Sequence, residues 1–562
     1  MATKRLQNIQ GRITQRNVGD YLGELWSSRN IDISSSMGKL RLSRPTEVLM
    51  NNLELDGNIV EAICFGDRNM FILTDDDLYV SGGNFDSFLL NDDLSVGSRP
   101  HDLVQFEQYV LAVGSTTIAA IDTKNSNSIN NDWWSTTVNG GALDSSYQHH
   151  MTVIRTSGQD TLSVLNGAEI KYYNPSAGHS SISWDENLIG ITQTAGLNEG
   201  WVGTRNANGL GAEVIMWRVG NDQYSQAYPV YANAVLSMCT VNNIPYLVTE
   251  RGEIKKFNQA GFVTVGTLPM YLTNEYLDGS VTSQLIQPNT HARPIHSKGM
   301  VAVDDKIYIY VNTTGVNNTA VNERMPSGVW EFDTVTSSLT HRYDAGELLT
   351  GVSSPLYYHN DDNGRFYFGA RLENSDYVFL REDLTPDVVT RGSFVKTEMQ
   401  SNSFVDIFNS ENVASQMSEG DRIVVKYREQ KDISLPVWAT LNWTNSTTLT
   451  STSDLSDIKA GHELEIYTGI ASGYCVHVVS ISETAGTYTV TVDEPVGSVG
   501  ECQGFFDNWT KLETITKDTP IKRVAIGSQA HTNQVKFYLE GKNGYPIISN
   551  AVTKSINKEE LK

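Results

Sequence analysis

The chain is poor in cysteine. Its four residues, Cys64, Cys239, Cys475 and Cys502, lie apart with no C-x-x-C spacing and no histidine pair beside them. That argues against a disulfide framework and against a structural zinc site. Cys475 and Cys502 fall in one C-terminal region and are the pair for which a bridge is conceivable; free thiols in a reducing cytoplasm are the expectation. Long apolar runs are also missing: no stretch approaches the 18 or more residues of a membrane span. Met1-Ala2-Thr3-Lys4-Arg5-Leu6-Gln7 lacks the apolar core of a secretory signal, so none is expected. Basic residues are outnumbered, 42 Lys and Arg against 65 Asp and Glu, for a net charge of -23. A body of that sign does not suit phosphate recognition, which needs a broad basic surface. No H-E-x-x-H, G-x-S-x-G or Walker loop occurs.

What is present is a repeat. Seven times between about residue 59 and residue 383 an apolar strand meets a polar turn, a second apolar strand follows, and a third ends in a polar residue. The third strands show it best: Leu78-Tyr79-Val80, Ile118-Ala119-Ala120-Ile121, Ile170-Lys171-Tyr172-Tyr173, Val214-Ile215-Met216-Trp217, Ile254-Lys255-Lys256-Phe257, Val329-Trp330-Glu331-Phe332 and Val378-Phe379-Leu380. A degenerate unit recurring every 40 to 75 residues is how a β-propeller reads, because each small sheet buries its faces only against its neighbours. Turns such as Asn166-Gly167 and Asp361-Asp362-Asn363-Gly364 suit tight hairpins. Insertions at 260–294 and 312–327 leave the blade number between six and eight.

The repeat is flanked by different material. Residues 1–58 read as an extended arm, and its first 44 residues carry Lys4, Arg5, Arg12, Arg16, Arg29, Lys39, Arg41 and Arg44 against Asp20, Glu24 and Asp32. That balance of +5 leaves -28 for the rest, so the arm is expected to dock on an acidic neighbour such as a second copy of the chain. Lys39-Leu40-Arg41-Leu42-Ser43-Arg44-Pro45 reads as a half-exposed strand ended by Pro45. After the propeller (59–394), longer alternating strands predict a β-sandwich over 395–451 and 503–553. A small β-barrel is expected as an insertion at 452–502, and 554–562 as a polar tail. The fold class is therefore all-β: a propeller of about seven blades followed by a sandwich with an inserted barrel.

Side chains able to do chemistry form no reactive pattern. His149 and His150 are adjacent, so on a strand they point to opposite faces and share no ligand. His291 and His296 flank a loop around Pro294. The runs Asp75-Asp76-Asp77, Asp92-Asp93, Asp304-Asp305 and Asp361-Asp362 lack the alternating oxygens and closing Glu of a calcium loop, and read as hairpin turns. Ser183-Trp184-Asp185-Glu186 comes nearest to a propeller-hydrolase hairpin but misses its glycine and tryptophan positions. No catalytic residue, cofactor or metal site is predicted. Trp133-Trp134, Trp201, Trp443 and Trp509 are the aromatics that could stack on sugars, with Trp443 and Trp509 the candidate glycan contacts.

Two phrases resemble a known family. The opening Asn30-Ile31-Asp32-Ile33…Gly38-Lys39-Leu40-Arg41-Leu42-Ser43-Arg44-Pro45 is similar to the hairpin before the first blade in propeller-bearing tail proteins of tailed bacteriophages. Gly461-His462-Glu463-Leu464-Glu465-Ile466…Val476-His477-Val478-Val479-Ser480-Ile481…Tyr488-Thr489-Val490-Thr491-Val492-Asp493 resembles small barrels that decorate such proteins. The resemblance implies a structural virion protein of the tail (nozzle, accessory or tip), folded in the bacterial host cytoplasm and not an enzyme. It implies a homo-oligomeric ring, expected as a hexamer, held by contacts of the arm and sandwich, with other tail proteins as neighbours. DNA would pass through without specific binding, since acidic walls repel it. The alternative is a module binding a host-surface glycan, with or without glycosidase activity.

Overall fold

The computed structural model describes residues 25–557 apart from 34–39, 59, 67, 83–84, 98–99, 156–158, 184–187, 196–198, 207–210, 222, 269–270, 273–283, 286–294, 296–297, 312–327, 345–355, 359–363, 372–375, 384–389, 397–398, 429–436, 470–473, 498, 525–527 and 543–545. Among the described residues it contains seven four-stranded antiparallel sheets, and the seven third strands named above are the third strand of each. Blade I runs from Val60–Gly66 to Phe88–Asn91, blade II from Pro100–Phe106 to Ser128–Asn130 and blade III from Met151–Arg155 to Gly178–Ser183. Blades IV, V and VI begin with Leu188–Ala195, Val235–Val241 and Met300–Val303. Blade VII begins with Leu356–Tyr358. Each of these first strands lies against the first strand of the next blade, so they form the inner ring of a closed seven-bladed propeller.

The apolar runs are continuous where an ordinary surface strand would alternate. In blade I, Met70–Thr74 are all buried. The reason is that a blade is covered on both faces by its neighbours. Phe71, Leu73 and Leu78 of blade I meet Leu103, Val110 and Ala112 of blade II in one such layer. Each fully buried side chain of this kind contributes about 1.5–3 kcal/mol. Between blades II and III a short π-helical turn, Trp134–Val138, plugs Trp134 into the layer. Gly140 follows it because a Cβ there would lie 2.1 Å from the Trp134 ring.

The arm is not an appendage in its described part. Its strands are β1 (Leu25–Arg29), β2 (Ile31–Ile33), β3 (Leu40–Leu42) and β4 (Thr46–Met50). Strand β4 pairs antiparallel with Tyr377–Glu382, Met50 opposite Phe379 and Val48 opposite Leu380, and supplies the outer strand of blade VII. The expected arm boundary at residue 58 is thereby corrected: a circular array left open at its seam would expose an unpaired edge, and the N-terminal strand closes it. Strands β1 to β3 join the C-terminal strands in a ten-stranded sheet. Its 14-residue strand Ser528–Gly541 pairs through Ser528–Asn533 with Met399–Ser415, and through its second half with Thr390–Lys396 and Arg422–Arg428. Phe394, Ile423, Phe537 and Leu539 from one half share a core with Leu40, Leu42, Ala414 and Ile548 from the other, as in a sandwich. Leu40 and Leu42 point inward and Arg41 is half-buried, the alternation read from the sequence.

The barrel is larger than predicted. Six strands close it, from Val437–Asn445 to Gly500–Asp507. Ser446-Thr447 is the hairpin turn between Val437–Asn445 and Thr448–Ser451, both of which belong to the barrel. Ala439, Leu441 and Trp443 face the barrel core and the residues between them face out. The C-terminal strand also outruns its prediction: Ile547–Asn557 stays paired through Lys554 and Asn557, so the polar tail begins later than residue 554.

Candidate functional site

The predicted assembly residues divide in two. Arg5, Arg12, Arg16 and Lys39 lie outside the described residues, as do His291, His296, Trp184 and the Asp361-Asp362-Asn363 turn. Arg29, Arg41 and Arg44 are described, and each turns back onto its own chain. Arg41 pairs with Asp32, Arg44 with Glu382 at 3.8 Å, and Arg29 with Glu465 of the barrel at 3.7 Å. Each of these charges has a partner within the chain, while Arg41 and Arg44 stay 36% and 38% exposed, so their expected contact with a second copy is neither met nor excluded by the fold.

Two buried charge clusters result. The first lies where the N-terminal hairpin meets blades VI and VII. Arg342, on the outer strand of blade VI, reaches Glu331 at 2.6 Å, Asp32 at 3.5 Å and Glu382 at 3.6 Å. Its guanidinium lies 5.4, 5.2 and 5.6 Å from the ring centres of Tyr308, Tyr343 and Phe366. Lys306 also pairs with Glu331, and the Tyr343 hydroxyl donates to Glu382 at 2.8 Å. Burial alone would raise the Asp32 carboxyl, but Arg342 and Arg41 outweigh it and hold it below its ordinary range. Burial wins at Glu331, whose carboxyl is raised despite Arg342. Beside this cluster the His341 backbone N–H donates to Ser28 Oγ at 3.0 Å, and the Asn30 N–H donates to His341 Nδ1 at 3.1 Å.

The second cluster joins barrel to sandwich. Lys426 and Lys536, directly opposite each other on neighbouring sandwich strands, both donate to Glu463 of the barrel. Lys536 also donates to Glu465 at 2.5 Å, and the Lys426 Nζ lies 2.9 Å from Cys475 Sγ. Burial would raise the Glu463 carboxyl; the two ammonium groups reverse this and hold it far below the carboxylate range. Burial pushes the Cys475 thiol up. Next to it Arg428 donates to Asp507 at 2.7 Å and to Gln534 at 2.8 Å, and lies 4.3 Å from the Trp509 ring centre. Oxygen and sulfur atoms of Glu463, Glu465 and Cys475 approach within 4.8 Å of one another, a spacing that suits a metal ion. The donor set does not fit one, because two ammonium groups already neutralise the carboxylates and an added cation would face both.

A third pairing crosses the propeller. Lys298, just before blade VI, lies 3.1 Å from Asp102 of blade II and donates to the Met151 carbonyl of blade III. Asp102 also accepts from the Met151 N–H and the Leu103 N–H at 2.8 Å each. Burial raises its carboxyl, with Lys298 opposing. His149 is buried behind it, Nδ1 2.8 Å from the Leu165 carbonyl oxygen. Burial lowers its imidazole, so it packs as a neutral ring.

The glycan candidates are corrected. Trp443 and Trp509 are both 0% exposed, one in the barrel core and one against Arg428. Trp133, Trp134 and Trp201 are buried as well. All five face inward, Trp201 and Trp443 on strands and Trp133, Trp134 and Trp509 from the segments between them. All four cysteines are free and buried. The cluster residues Lys426, Lys536, Glu463 and Arg342 escaped the sequence reading. The available signal was a charged residue inside an otherwise apolar strand, as in Ile423-Val424-Val425-Lys426 and Val535-Lys536-Phe537.

No family model matches the sequence, and no curated protein does. Among solved structures the chain is similar to the BBS1N part of a complex with ARL6DN, at 9% identity and a TM-score of 0.39, covering 61% of this chain and 97% of that one. It is also similar to U3-55K, at 8% identity and a TM-score of 0.40, covering 60% and 98%. A computationally designed protein, Ika8, is a third, at 12% identity and a TM-score of 0.36, covering 57% and 96%. Likenesses at this level bear on no function.

Proposed function

We propose that this chain is a structural protein of a bacteriophage tail, a nozzle, accessory or tip component that assembles as a ring and catalyses no reaction. The observation that supports it most is the way the parts are joined. The propeller is closed by β4, the sandwich is completed by β1 to β3, and buried charge clusters clamp hairpin to blade VI and barrel to sandwich. A body whose buried charges pair with one another across its parts suits transmission of load. The phrases around Asn30–Pro45 and Gly461–Asp493 point the same way by resemblance. Passage of DNA fits a body of net charge -23, which would repel the duplex.

Glycan binding has lost the observation that favoured it, since Trp443 and Trp509 are buried. The test is electron microscopy of the purified chain at rising concentration. Closed rings of one size support the reading. Monomers at every concentration, together with binding on a glycan array, would replace it with the binding-module alternative.

A further inference from the structure

We propose that the outer edge of blade I is the acceptor for the basic segment upstream of Leu25 in a second copy of this chain; the inference rests on the assembly reading above and names the surface it uses. Strand Phe88–Asn91 ends the blade I sheet, and among the described residues no strand pairs with its outer side. It sets Leu89 and Leu90 in solvent, 74% and 50% exposed. Single exposed valines, Val48 and Val263, are the most that β4 and the outer strand of blade V offer. Adjacent exposed leucines on an open edge form a template for strand addition, which proteins otherwise shield.

Charge selects the occupant. Asp92 and Asp93, both exposed, follow the strand directly, and Asp56, Asp76 and Asp92 lie close enough to Asp77 to act on its carboxyl. The partner should therefore be basic with interspersed apolar residues. Residues 1–24 carry Lys4, Arg5, Arg12 and Arg16 against Asp20 and Glu24, with Leu6, Ile9 and Ile13 between them. Arg29, Arg41 and Arg44, further along the arm, are paired internally. An extended segment of this length reaches about 80 Å. The chain already uses the mode once: β4 adds antiparallel to Tyr377–Glu382 at the edge of blade VII. Arm of one copy on blade I of the next is a heterologous contact, the kind that closes into a ring.

The test is cross-linking between separately tagged copies of the full chain, one carrying Ile9→Cys and the other Leu89→Cys, with a short bismaleimide. Burial of the four native cysteines leaves the introduced thiols as the reactive ones. A cross-linked pair between copies is expected, and self-association should weaken at least tenfold in a Leu89→Lys, Leu90→Lys variant that keeps its circular dichroism. Cross-linking confined to a single chain bearing both cysteines would overturn the second copy as occupant. A lysine variant that associates like the wild type would overturn the acceptor surface while leaving the assembly reading intact. A wild type that stays monomeric would remove both.

Discussion

Glu463→Gln should be among the most damaging conservative substitutions in the C-terminal half. The carboxylate is fully buried and accepts from two lysines whose side chains are 1% and 4% exposed. The amide keeps the shape and removes the charge, leaving Lys426 and Lys536 to share Glu465 and Cys475. Breaking one side of a buried pair costs about 3–5 kcal/mol, because the partner charge stays buried and uncompensated. Two lysines lean on this one carboxylate, so the upper part of that range is expected. The sign with pH follows from the depressed carboxyl: its stabilisation is present above the unfolded value of about 4.3 and is lost progressively as pH falls below it. The assay is urea unfolding followed by tryptophan fluorescence, in which Trp443 of the barrel and Trp509 of the junction report alongside the propeller's tryptophans. Adding Lys426→Met to the glutamine variant should recover part of the loss, since it deletes one of the stranded charges. A Glu463→Gln protein within about 1 kcal/mol of the wild type would refute the reasoning.

Other perturbations separate the remaining parts. Arg342→Met should cost about 3–5 kcal/mol and loosen the N-terminal hairpin first, visible as faster amide exchange in Asn30–Asp32 than in blade III. Removing residues 1–24 should leave the fold intact by circular dichroism, whereas removing 1–50 strips β4 from blade VII and should lower the propeller transition; equal melting of the two truncations would contradict the closure. Gly140→Ala should cost about 1–3 kcal/mol, because the Trp134 ring has to shift, and a silent substitution would argue against that packing. Asp493, held down to about 2 by His477 against the opposing effect of burial, stabilises the barrel above the ordinary aspartate range. Its contribution should vanish as pH falls through 2, and Asp493→Asn should flatten that acid limb of the melting curve.

The propeller was legible because its signal is repeated: seven third strands with the same apolar phrase leave little freedom in how they stack. Boundaries were less legible where one strand serves two parts. Thr46–Met50 reads as the end of an arm, and nothing local in Thr-Glu-Val-Leu-Met says that its partner is Tyr377–Glu382, more than three hundred residues away. Val437–Asn445 alternates as a sandwich strand would, and its pairings with Thr448–Ser451 and Gly500–Asp507 assign it to the barrel. The arm's charge was legible as a sum, but the partners of Arg29 and Arg44 were not, because Glu465 and Glu382 lie hundreds of residues away. The tryptophans failed for the same reason: composition supplies an aromatic, and topology decides whether it faces solvent.

The proposal that this chain is a tail protein is tested most directly by quantitative mass spectrometry of phage particles purified from the source organism, reading its copy number against portal and capsid proteins. The account predicts a fixed stoichiometry matching a ring, with six copies expected from the resemblance. Absence of the chain from particles would contradict it.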